Sequence, residues 1–254
     1  MREAYRSSTI QRALDVLNLF KDNSGLSLLE IRKKLKANKS TVYRVLSTLE
    51  DNKFLNRGGG GKYKLGINVF ILGHRISKES HLINAATPLM NDLSRKLGLT
   101  AHLGALEGAN VVLMQKIEPD RPLKMVCQVG GYLPAHCTSL GKTLLAYSSR
   151  EEVQKLIDMH GLQRYTPETI CTTKSLMAEL DAVREKGYAL DDGEHEKHIR
   201  CVAVPILNAG AIEGALGAAG TVMDLPDQES VDRTVHALFR ARDRISAEMG
   251  YEKS

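Results

Sequence analysis

Apolar residues recur at helical spacing through the first fifty positions. Ile10, Ala13, Leu14, Leu17 and Phe20 fall at offsets of 3, 4, 7 and 10, on one face of a helix predicted over residues 9–21. After the break at Asn23-Ser24-Gly25, Ser27 and Glu30 have the spacing of a capping box. Leu28, Ile31 and Leu35 then form the stripe of a short second helix. A third helix is predicted from Lys39 over residues 39–51, with Val42, Val45, Leu46 and Leu49 on its inner face. Lys39, Ser40, Thr41, Tyr43, Arg44 and Thr48 occupy the opposite side, a set of cationic and hydrogen-bonding groups suited to bases and phosphates in a major groove. Two short helices, a tight turn and a polar outer face on the second describe a helix-turn-helix. The bland alternative is a small bundle with a merely solvated face.

The next stretch favours the first reading. Phe54–Arg57 and Lys62–Leu65 are two short strand patterns around Gly58-Gly59-Gly60-Gly61, which makes a basic, glycine-tipped wing with Arg57 and Lys62 placed to follow phosphates. The glycines do not form a phosphate-binding loop, because that pattern needs Gly at Asn56 and Ser or Thr at Tyr63. Charge agrees with the wing. Residues 1–80 hold 16 Lys and Arg against 7 Asp and Glu, whereas the remainder holds 19 against 23, so a polyanion is expected to meet the head alone.

Residues 66–81 (Ile67, Val69, Phe70, Ile71, Leu72, Ile76) are apolar on more than one helical face, which predicts a connecting helix packed on a partner subunit. Beyond it, Leu82 to Leu97 read as a helix ending at Gly98, with Pro88 implying a kink or a fresh start capped by Thr87. Strands are predicted at Thr100–Leu106, Val111–Glu118, Leu123–Val129, Ile199–Leu207 and Ala211–Gly220, and helices near 138–148, 151–160, 174–186 and 227–249. Strands joined by hairpins, with helices grouped between and after them, predict an α+β fold in three parts: a winged helix-turn-helix at 1–65, a linker helix at 66–81 and a sheet domain at 82–254. A composition of 43% hydrophobic and 26% charged residues is that of an ordinary globular chain. With neither a signal-like apolar segment nor a membrane-length one, a cytoplasmic location is expected. Four scattered cysteines read as free thiols.

Several constellations in the second part suggest chemistry. Ser139-Leu140-Gly141-Lys142 matches an S-x-x-K nucleophile motif but lacks its companion elements. His136 and Cys137 are sequence neighbours, a poor arrangement for a thiolate–imidazole pair. His195, His198 and Cys201 have acceptable metal-ligand types at three-residue spacing, so a metal- or redox-sensing regulator is the alternative to weigh. The remaining reading is a pocket. Gly130 to Thr138 is a glycine-rich turn leading to a helix start, whose backbone N–H groups suit anions, and Gly217, Ala218 and Ala219 would leave room opposite.

Four stretches then resemble one family in the same order: Gln11–Leu17 within Ser8–Leu19, Lys39–Leu46, Leu133–Ala146, and Gly187–Glu194 leading into Ile199–Ile206. By these the chain resembles the IclR-type bacterial transcription regulators over nearly its whole length. The resemblance implies a winged helix, a linker helix and a GAF-like C-terminal domain that binds a small effector without catalysis or cofactor. It also implies dimers, often paired into tetramers, on palindromic double-stranded operators. DNA contacts are expected from Arg12, Lys39, Ser40, Thr41, Tyr43, Arg44, Arg57 and Lys62. Carried over by motif, the effector lining is Ala135, His136, Cys137, Leu140, Asp191, Ile199 and Cys201, with Gly217 and Ala219 on the last strand. Members that take small oxo-acids often carry serines at those last two positions, so a larger or more apolar organic acid or aromatic compound is expected here.

Overall fold

A computed structural model describes residues 7–21, 23–121 and 127–250. The chain forms two compact units, Met1–Glu79 and Ser80–Ser254.

In the smaller unit, α1 (Ser8–Asn18), α2 (Leu28–Leu35) and α3 (Lys39–Asp51) precede a three-stranded antiparallel sheet of β1 (Leu26–Ser27), β2 (Leu55–Arg57) and β3 (Lys62–Leu65), in the order β1-β3-β2. The capping box at the start of α2 is present, Ser27 accepting the Glu30 N–H while Glu30 accepts that of Ser27. Asn38 caps α3 through the Thr41 N–H. Val16, Phe20, Ile31, Val42, Leu46, Leu55 and Tyr63 are buried together, so the three apolar stripes meet in one core. Gly60 and Gly61 take φ of 74° and 71° at the wing tip, where a side chain would be strained. Two details differ from expectation. The first helix ends at Asn18, and Leu26-Ser27 pairs with Lys62 and Tyr63 as a strand too short to show a period. After the wing, α4 (Ile67–Glu79) buries none of its residues.

The larger unit is a six-stranded antiparallel sheet, ordered β6-β5-β4-β9-β8-β7, with helices on both faces. Its elements are α5 (His81–Leu97), β4 (Thr100–Glu107), β5 (Asn110–Ile117), β6 (Tyr132–Pro134), α6 (Ser139–Ala146), α7 (Arg150–His160), α8 (Thr173–Lys186), β7 (Ala189–Asp192), β8 (Ile199–Asn208), β9 (Ala211–Thr221) and α9 (Gln228–Glu248). Strand alternation sends Ala101, Leu103, Val202, Val204, Leu216 and Ala218 to the α5/α9 face. Leu113, Ala203 and Ala215 go to the face covered by α6 and α8. α5 is continuous through Pro88 rather than restarting at Thr87, whose hydroxyl donates to the Ile83 carbonyl instead. The apolar stripe from Leu82 to Leu93 holds that helix against the sheet on both sides of the proline.

The strand expected at Leu123–Val129 lies, for 123–126, outside the described residues, and 127–129 are not in a strand. β6 and β7 escaped the sequence reading because three and four residues carry almost no periodicity. Part of the expected glycine-rich turn is therefore a strand, Leu133 pairing with Val111. Among the described residues, no helix is long and apolar enough to cross a membrane.

Candidate functional site

Two sites stand out, one in each unit. In the smaller unit α3 buries Val42, Val45, Leu46 and Leu49, and leaves Lys39, Ser40, Tyr43 and Arg44 exposed with Thr41 half-buried. Arg12 from α1 and Arg44 from α3 line one groove with Thr9, Thr41 and Thr48. The Ser40 hydroxyl lies 3.2 Å from Asn38 Oδ1, so it helps tie the cap and is not wholly free. On the wing, Arg57 and Lys62 are exposed, and the Arg57 guanidinium sits 5.8 Å from the centroid of the cross-strand Tyr63 ring. The eight residues singled out for DNA thus fall on the exposed sides of α1, α3 and the wing, with little carboxylate among them.

In the larger unit, the start of α6 and the β7–β8 loop close over β4 and β8 to form a cavity of about 490 Å³, mouth included. Its lining is His102, Cys127, Leu133, Thr138, Ser139, Leu140, Asp191, His195, Glu196, Ile199 and Cys201. The register explains the gathering: Asp191 pairs with Cys201, Cys201 with Ala219 and Ala219 with Thr100, so the row shares one sheet face with His102 two residues on. Thr138 caps α6, its hydroxyl oxygen accepting the Gly141 N–H, while its carbonyl accepts that of Lys142. The N–H groups of Ser139 and Leu140 begin the helix at the cavity wall, as anion-binding helix starts do.

Burial pushes the cavity's two histidines, its two thiols and Asp191 towards their neutral forms. His102 is pushed down to about 4 by desolvation, assisted by Lys116 and opposed by Glu118. Its Nε2 lies 3.5 Å from Cys127 Sγ. His195 is lowered by desolvation first, with Glu196 opposing, and the Tyr165 ring meets it edge-on at 5.1 Å. Desolvation raises the Cys127 and Cys201 thiols. Asp191 is pushed up to about 7 by desolvation, against the hydrogen bond its Oδ1 accepts from the Glu194 N–H at 2.8 Å.

Leu140, Asp191, Ile199 and Cys201 of the expected lining are brought together here. Ala135 and His136 are not: they face a separate pocket under α7, and His136 Nε2 donates to the Gln163 carbonyl at 2.9 Å. Cys137 is fully buried behind the cavity wall. The room expected at Gly217 is filled, since a Cβ there would crowd Leu140 at 3.2 Å, and Ala219 is buried in the sheet. His195 and Cys201 line the cavity, but His198 is exposed, and among the described residues no three His, Cys, Asp or Glu side chains gather as metal ligands. Ser139 is not paired with Lys142, whose ammonium is held by Glu179 at 2.8 Å and by Glu194. Burial works against that ammonium, yet the two carboxylates outweigh it and hold Lys142 above its ordinary value.

The expected lining did not include His102, Cys127, Leu133, Thr138, Ser139, His195 or Glu196, and sequence reasoning also missed a buttress of threonines. The Thr166 hydroxyl donates to the Gly193 carbonyl and that of Thr169 to the Glu194 carbonyl, both at the back of the loop that follows Asp191 and carries His195. The only signal for the buttress was the threonine-rich run 166–173 before α8.

Comparison with known proteins decides the family. Residues 74–247 match the model described as the bacterial transcriptional regulator IclR C-terminal domain, and residues 9–59 match the IclR helix-turn-helix domain. The chain belongs to the IclR family. Among its IclR-family relatives, the HTH-type transcriptional regulator KdgR of Escherichia coli is 33% identical over 246 residues, covering 96% of this chain and 93% of that protein. XynR of the same organism is 32% identical, covering 96% and 97%. A solved IclR homolog from Microbacterium hydrocarbonoxydans, complexed with 4-hydroxybenzoate, is similar with a TM-score of 0.86 at 27% identity, covering 95% of this chain and 98% of that one. The IclR regulator of Alicyclobacillus acidocaldarius gives 0.85 at 28%, covering 96% and 99%. The IclR-type chain described here is accordingly a transcription regulator with a helix-turn-helix and an effector-binding domain, not an enzyme.

Proposed function

We propose that this protein is an effector-responsive regulator that binds a palindromic operator as a dimer or a pair of dimers and changes its DNA affinity when a small organic acid or aromatic metabolite occupies the larger unit. Residues 1–65 read the operator, 66–81 join subunits, and 82–254 bind the effector. The single observation that carries the reading is the outward face of α3, where Lys39, Tyr43 and Arg44 are exposed beside Arg12 while the apolar side is buried. Arg44 and Arg12 act in the groove, Thr41 and Ser40 at its edge, and Arg57 and Lys62 along the phosphates. α4 supports the subunit role: Ile67, Phe70, Ile71, Leu72 and Ile76 are each more than half exposed, an apolar surface that calls for a partner.

The effector is read into the cavity at Leu140, Asp191, Ile199 and Cys201, now joined by Ser139, His102 and Cys127. Its leucine and isoleucine walls suit an aromatic or branched body, and the ligand seen in the Microbacterium relative is of that kind. Effector binding shifts the population of DNA-competent states by its unequal affinity for them. A gel shift tests the reading. Operator DNA is expected to be retarded by the wild type and released or tightened by the effector. An unchanged response in Leu140→Arg, which fills the cavity, would remove the cavity from the account.

A further inference from the structure

The charges behind the cavity do not balance if every carboxyl there is ionised. Lys142 is 1% exposed and its one ammonium is already shared between Glu179 and Glu194. Asp191, 2% exposed and three residues before Glu194, would add a third carboxylate to the two that Lys142 already serves. The half-buried cation nearby, Lys116, is paired with Glu118. No Lys or Arg is among the described residues that line the cavity. Yet the same cavity is lined by Thr138, Ser139 and Leu140, where α6 opens, and a helix start is a place where an anionic group is stabilised.

We propose that the cavity takes a monocarboxylate together with a proton, the ligand and Asp191 carrying one negative charge between them. The inference rests on the cavity being the effector site. Two ionised carboxylates in one desolvated space repel strongly, and such pairs share a proton. The proton comes from solvent to the Asp191 carboxyl, which then donates its O–H to the ligand's carboxylate while the Ser139 and Leu140 amides donate from α6. Leu133, Leu140 and Ile199 enclose the ligand's apolar body.

The groups facing Asp191 leave it as the one that titrates. From the loop that follows it come Glu194, tied to Lys142, and His195, kept towards neutral by burial. From α6 comes Lys142, which stays charged between its two carboxylates. The turn before α6 brings Cys137 and β8 brings Cys201, both thiols raised by desolvation. Across the cavity are neutral His102 and Cys127, with Glu196 beside His195. Behind them Lys116 is paired with Glu118 at 2.8 Å and donates to the Cys127 carbonyl at 2.7 Å, so that pair brings no net charge to the cavity. Asp191 itself, pushed up to about 7, already holds the proton in acid and must take one up above neutrality. Binding is therefore flat from about pH 6 down to the range where the ligand's own carboxyl protonates, and affinity falls about tenfold between pH 6 and pH 8.

Isothermal titration of the full chain with 4-hydroxybenzoate, benzoate and phenylacetate, at pH 6 and pH 8 and in two buffers of different ionisation enthalpy, tests this. At least one acid is expected to bind, with about one proton taken up at pH 8 and Kd about tenfold weaker there than at pH 6. In Asp191→Asn the Kd is expected to lose its dependence on pH. Should that variant fail to fold, proton uptake by the wild type still decides. A Kd independent of pH, no proton uptake, or no binding of any of the three acids overturns the proposal. If a neutral compound then modulates operator binding and Leu140→Arg abolishes the response, the effector cavity stands and only the proton-coupled carboxylate falls.

Discussion

Replacing Lys142 with methionine keeps the unbranched side chain to within one atom of its length and deletes its charge. Glu194 Oε1 would lose the ammonium that holds it, and Glu194 Oε2 is already buried without a partner. Removing one member of a buried ion pair costs about 3–5 kcal/mol, because the other charge is left without compensation. Glu179 is a third exposed and can turn to water, so it adds little, and the lower figure of about 3 kcal/mol is the appropriate one. In a unit of this size each kcal/mol moves the midpoint by about 2–4 °C, so scanning calorimetry should show the larger unit's transition about 6–12 °C lower at pH 8. The sign with pH follows from Glu194, whose carboxyl is raised because burial outweighs the pull of Lys142. Without Lys142 it is raised further. A carboxyl raised in the folded state costs stability above its unfolded value and ceases to cost as pH falls through that value. The deficit should therefore shrink between pH 8 and pH 4.5, and Glu194→Gln in the same chain should restore part of it. A midpoint shift below about 2 °C, or a deficit equal at both pH values, would refute the buried-pair argument.

Gly141→Ala should prevent α6 from seating, since a Cβ at that position collides with the Ala135 carbonyl; low soluble yield or loss of near-ultraviolet dichroism would register it. Phe70→Glu on the exposed apolar surface of α4 should shift sedimentation towards the monomer without altering the helical dichroism, and an unchanged oligomer would remove α4 from the interface. The pH dependence of carboxylate binding through Asp191 completes the set.

The head was legible because its signals are local. Ser27 and Glu30 announce α2 within four residues, and the stripes of α1 and α3 run long enough to show their faces. The tetraglycine wing is flanked by matched strand patterns, so β2 and β3 were readable as well. The cavity was half legible for the opposite reason. Asp191 and Cys201 were found through family motifs, yet what makes them neighbours is a register between β7 and β8 that no local pattern encodes. His102 reaches the cavity through two further strand pairings, and Cys127 lies in a stretch read as a strand that is not one at 127–129. His136 was misplaced because a side chain in a 3-10 turn has no fixed face to reason from. Lys142 read as half of a catalytic motif, and its true partners lie 37 and 52 residues away.

The central claim is that the outer face of α3 reads duplex DNA, and selection from a pool of random duplexes tests it most directly. The wild-type chain should enrich a two-fold symmetric sequence whose binding weakens steeply with salt, and Arg44→Ala should bind that sequence roughly tenfold or more weakly with relaxed preference at one position in each half. No enrichment at low ionic strength, or an Arg44→Ala chain that selects the same sequence with the same affinity, would contradict the account.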